Sequence, residues 1–138
     1  MCSSDLLNVN SANQTAPLVA IVDDDSSVSA MLSRALRHAG LATVTYPSAD
    51  LLLDALPALA VQCLVVDVDL PGMTGLALLR TLRERGNRVA VVVVSGALDD
   101  TAAGKAQALG ASGVYAKPFD LPSFIRDVKR LVAAAGAN

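Results

Sequence analysis

Residues 65–75 read VVDVDLPGMTG. An apolar run passes straight into two aspartates, Asp67 and Asp69, and then into the turn at Pro71–Gly72. Just upstream, residues 62–68 (QCLVVDV) have the near-continuous apolarity of a parallel strand covered on both faces. Just downstream, residues 75–86 (GLALLRTLRERG) have helical spacing closed by Gly86. Strand, acidic turn and helix make one βα unit.

Working outward, the unit recurs. Residues 18–22 (LVAIV) form another apolar strand, followed by DDDSS, where Asp25 or Ser26 can cap a helix. In that helix Val28, Met31, Leu32, Ala35, Leu36 and Ala39 share a face, and Gly40 supplies the stop. Residues 42–46 (ATVTY) alternate instead, which suits a less covered strand at a sheet edge. A short helix over 49–56 ends at Pro57, and residues 88–95 (RVAVVVVS) make a fourth strand. The helix expected from about Asp99 to Leu109 is thinly anchored: it is mostly alanine, contains Gly104, and has Leu109 as its large apolar residue. Residues 113–116 (GVYA) are a short fifth strand, and the last helix sets Leu121, Phe124, Ile125, Val128, Leu131 and Val132 on one side. Five such units in a row imply a parallel sheet with right-handed crossovers and helices on both faces.

The bulk composition agrees. At 138 residues the chain suits one domain, and 53% hydrophobic residues can bury a substantial core. Mean hydropathy is +0.48. The apolar runs are only about half a dozen residues long, far short of the roughly 20 needed to span a bilayer, so no membrane segment is expected. A net charge of −2, no basic cluster, two tyrosines and two phenylalanines argue against a nucleic-acid surface. Cys2 and Cys63 do not form a disulfide framework, and Cys63 reads as a core thiol in a reducing compartment. The stretch 1–17 lacks the basic start and apolar core of a secretion signal. It is expected to be a flexible tail before a domain over 18–134, with a short C-terminal tail at 135–138, in a cytoplasmic protein.

In open α/β sheets, ligands bind outside the carboxyl ends of the strands. Here those ends carry Asp23 and Asp24, Asp67, Ser95 and Lys117. Two carboxylates about 4 Å apart repel by roughly 4 kcal/mol at an effective dielectric near 20, about three pKa units. Lys117 offers a single charge, so a divalent cation is implied. Oxygen-only ligands favour Mg²⁺, which points to phosphoryl transfer. Other polar residues have plainer readings. His38 suits a helix C-terminus, Lys105 a solvated face, and Pro71–Gly72 a turn that positions the site.

Asp23–Asp24, Asp67, Ser95 and Lys117–Pro118, each at its own strand end and in family order and spacing, resemble the receiver domain of two-component response regulators over 18–134. The resemblance implies a flavodoxin-like, doubly wound five-stranded sheet of order 2-1-3-4-5 with five helices. It makes Asp67 the phosphoacceptor for a histidine kinase or a histidine phosphotransfer protein. It assigns Mg²⁺ to Asp23, Asp24, Asp67 and the backbone carbonyl of Asp69, and phosphoryl contacts to Lys117 and Ser95. It further implies a cis Lys117–Pro118 bond and homodimerisation through the fourth helix, fifth strand and fifth helix. Catalysis would be limited to self-phosphorylation and slow autodephosphorylation. One departure is Val114 where the family often has an aromatic: Tyr115 is adjacent and should face the other way. Asp69 and Ala97 are expected to tune the lifetime of the phosphoryl group. The same residues admit two rival readings. A haloacid dehalogenase-type phosphatase would use Asp67 as nucleophile and Asp69 as acid but leaves Asp23–Asp24 unexplained. A receiver-like interaction module would not be phosphorylated at all, though every key position is occupied.

Overall fold

The computed structural model describes residues 17–97 and 99–136. The strands are β1 (Leu18–Val22), β2 (Ala42–Tyr46), β3 (Cys63–Asp67), β4 (Ala90–Ser95) and β5 (Gly113–Ala116). The helices are α1 (Ser26–His38), α2 (Ala49–Ala55), α3 (Gly75–Glu84), α4 (Asp100–Ala108) and α5 (Leu121–Gly136), with a 3-10 turn at Leu56–Ala58. The sheet order is β2-β1-β3-β4-β5, and every neighbouring pair is parallel. The expected order and class are those observed. β3 and β4 are shorter than the expected 62–68 and 88–95, because Gln62, Val68, Arg88 and Val89 lie outside the paired segments.

Alternation along the strands divides the core in two. Ala20, Val22, Leu64, Val66, Val91 and Val93 face Leu52 of α2, Leu78, Leu79 and Leu82 of α3, and Ala106 of α4. Val19, Ile21, Cys63, Val65, Val92 and Val94 face Leu32 and Leu36 of α1 and Phe124, Val128 and Val132 of α5. The edge strand β2 is only partly buried, as its alternating pattern indicated. Each of the first four helices starts on a side-chain cap: Asp25 for α1, Ser48 for α2, Thr74 for α3 and Asp99 for α4. Gly40, at φ 93°, ends α1 in the left-handed region expected of it.

One expected core residue is displaced. Met31 is 46% exposed, and the buried stripe of α1 is Ser29, Leu32 and Leu36. Ser29 can be buried because its hydroxyl donates to the Asp23 carbonyl at 3.3 Å. α5 continues to Gly136, past the expected boundary at 134. Residues 1–16, including Cys2, and residues 137–138 lie outside the described residues.

Candidate phosphoryl-acceptor site

The carboxyl ends of β1, β3 and β4 and the segment after β5 converge because the parallel register aligns them. Val22 pairs with Val66, Asp67 with Val94 and Ser95 with Ala116. The five polar positions separated in sequence thus meet at one end of the sheet.

Asp67 closes β3 and is 5% exposed, and Asp23 follows β1 and is 3% exposed. Asp67 Oδ1 accepts the Asp69 backbone N–H at 2.9 Å. Asp23 Oδ1 accepts the Asp25 N–H at 2.9 Å. The other oxygen of each, Oδ2, accepts from the Lys117 ammonium at 3.3 Å. Asp24 is exposed beside them. Asp23, Asp24 and Asp67 each offer an oxygen within 4.8 Å of the others. Lys117–Pro118 is cis.

The local electrostatics follow from this crowding. Burial, and then the Asp67 charge, hold the Asp23 carboxyl above its usual pKa despite the Asp25 N–H and Lys117. Burial would lower the Lys117 pKa, but Asp23 and Asp67 outweigh it and raise it above the ordinary lysine value. Three carboxylates less one ammonium leave an excess of two negative charges. An all-oxygen donor set with that excess fits a hard divalent cation. Cys63 plays no part: burial pushes its thiol up to about 12.

Two features had no clear sequence signal. A Cβ on Gly75 would lie 2.4 Å from the Asp67 carbonyl oxygen, so only glycine lets α3 start against the end of β3. Ser95, 1% exposed, donates its hydroxyl to Asp69 Oδ2 at 2.9 Å, so residue 69 engages the site through its side chain as well as its backbone. Tyr115 packs with Phe119 and Phe124 on the α1–α5 side, while Val114 contacts the α2–α4 side. The opposed facing expected of these neighbours is therefore present, and Tyr115 does not stand in for Val114.

Fold and site together define a flavodoxin-like α/β domain with an acidic ligand site at its switch point. The family model for the response regulator receiver domain matches residues 19–129. The transcriptional regulatory protein FixJ of Azorhizobium caulinodans is 40% identical over 111 residues, covering 80% of this chain and 53% of that protein. The DNA-binding transcriptional regulator NtrC of Klebsiella pneumoniae is 39% identical over 113 residues, covering 82% of this chain and 24% of that protein. The crystal structure of a response regulator receiver protein from Burkholderia phymatum matches at TM-score 0.75 and 37% identity, over 85% of this chain and 95% of that one. The chain belongs to the response regulator receiver domain family. It is a phosphoacceptor signalling domain of the two-component type, and neither the phosphatase nor the unphosphorylated-module reading is favoured. It spans about half the length of FixJ and about a quarter of NtrC. Among the described residues, no helix is long and apolar enough to cross a membrane.

Proposed function

We propose that Asp67 accepts the phosphoryl group. One observation carries this assignment: Asp67 closes the central strand β3, between Asp23 after β1 and Ser95 at the end of β4, and is fixed by both the Asp69 N–H and Lys117. A carboxylate oxygen of Asp67 attacks the phosphorus of a phosphohistidine on a histidine kinase or histidine phosphotransfer protein. The P–N bond breaks as the P–O bond forms, leaving an acyl phosphate on Asp67 and a free imidazole on the donor. Lys117, already 3.3 Å from Asp67 Oδ2, neutralises charge on the transferred group. Ser95, at the end of the neighbouring strand, offers its hydroxyl to a phosphoryl oxygen.

Asp23, Asp24, Asp67 and the Asp69 carbonyl would hold Mg²⁺. Bound there, it supplies charge neutralisation for phosphoryl oxygens. The chain's own residues orient Asp67 and shield it on its inner side. Its chemistry is limited to taking the phosphoryl group from a donor and losing it slowly to water. The new contacts shift the domain's conformation, which a partner or an output domain reads. α4, β5 and α5 are the surface for homodimerisation, and neither nucleic acid nor membrane is contacted by this chain. The domain proper runs from Leu18 to the end of α5 at Gly136, in the cytoplasm where kinase and receiver meet.

Incubation with Mg²⁺ and acetyl phosphate, followed by intact mass, tests the assignment. The wild-type chain should gain one phosphoryl group and the Asp67→Asn chain none. An equal gain in both would place the acceptor elsewhere.

A further inference from the structure

The Ser95 hydroxyl carries a single proton, and in this structure it is spent on the Asp69 carboxylate at 2.9 Å. The same oxygen accepts the Ala97 N–H at 3.1 Å. The residue is buried, so its hydroxyl has little solvent to turn to. It cannot donate to Asp69 and to a phosphoryl oxygen at once. Residue 69 therefore touches the acceptor through its N–H and the serine through its carboxylate.

Resting on the phosphoacceptor reading above, we propose that the Asp69 carboxylate is a latch on Ser95. As a positioning residue it holds the hydroxyl away from Asp67 until a phosphoryl group outcompetes it. Release leaves the Asp69 charge without its donor and close to a phosphoryl dianion. Both effects favour the resting arrangement. The side chain at 69 thus sets the threshold of the switch, a role distinct from that of its backbone carbonyl, which any residue supplies.

The test uses the full chain with Mg²⁺ and beryllofluoride as the phosphoryl mimic, read by the amide resonance of Ala97, whose N–H bonds Ser95 Oγ. Asp69→Ala should bind the mimic about tenfold more tightly, which corresponds to about 1.4 kcal/mol. Asp69→Asn, which keeps an oxygen acceptor, should fall between wild type and Asp69→Ala. In a Ser95→Ala background the Asp69→Ala gain should shrink to about twofold or less, as a double-mutant cycle requires of coupled groups. Without the mimic, the Ala97 resonance of Asp69→Ala should already move toward its bound position. An equal gain with and without Ser95 overturns the latch in favour of simple charge repulsion. So does wild-type affinity in Asp69→Ala with an unmoved Ala97 resonance. If wild type itself takes up no mimic, the phosphoacceptor reading fails and the latch fails with it, a result distinct from normal uptake that is indifferent to residue 69.

Discussion

Asp23 and Asp67 share one ammonium, and that shared cation governs how single residues behave at this site. Because burial and the neighbouring Asp67 raise the Asp23 pKa, the native state binds that proton more tightly than the unfolded chain does. The ionised form therefore costs stability above the raised value, and stability returns as pH falls through it toward the ordinary 3.8. Asp23→Asn removes this cost. In chelator at neutral pH its thermal midpoint should lie about 2–5 °C above wild type, with the difference shrinking as pH falls. A lower midpoint for the variant would contradict the account. The acidic positions themselves were legible in sequence because each follows directly on an apolar strand, where a carboxylate is conspicuous. The Asp69–Ser95 bond was not, since it depends on how β3 and β4 align across 26 residues of chain. Met31 was misplaced for a similar reason: a helical face read from spacing ignores that a serine can be buried when its hydroxyl finds a backbone carbonyl.

At the scale of elements, α4 is held differently from its neighbours. It buries only Ala106, so packing anchors it weakly, as its alanine-rich sequence indicated. Its C-terminal end is secured from outside by Arg83 of α3. The guanidinium donates to the Leu109 carbonyl at 3.0 Å and to that of Gly110 at 3.0 Å. It also donates to Asn87 at 2.9 Å and Val89 at 3.0 Å, before β4. No helical periodicity marks Arg83, because the partners are carbonyls of two other connections. The N-terminal end of α4 follows Ser95 and is the end nearest the site, so a phosphoryl-driven change should swing that end about the fixed one. Such a switch needs about 5.5 kcal/mol to invert a 1:99 population. Two hydrogen bonds to a charged group, at roughly 1.5–3 kcal/mol each, reach that range. Arg83→Met should cost about 2–3 kcal/mol and speed amide exchange at Leu109, Gly110 and Ala111. Unchanged exchange there would show that the staple does not hold the corner.

For the molecule as a whole, sheet order is what turns scattered residues into a site. Reading five βα units from alternating apolar runs and helical faces was sufficient for the class of fold, and the half-polar β2 pointed to its own place at an edge. Exact strand ends were less legible, since Val89, half-buried before β4, continues the apolar run without pairing. The aromatic residues make the same point: Tyr115, Phe119 and Phe124 are spread over two elements and a loop, yet meet as one cluster beneath α5. The central claim is that this convergence makes Asp67, and no other carboxylate, the seat of the phosphoryl group. Borohydride reduction after phosphorylation by acetyl phosphate with Mg²⁺ converts an aspartyl phosphate to homoserine, which peptide sequencing locates. The account predicts homoserine at position 67 alone. Homoserine at position 23, 24 or 69, or an acid-stable phosphate on Ser95, would contradict it.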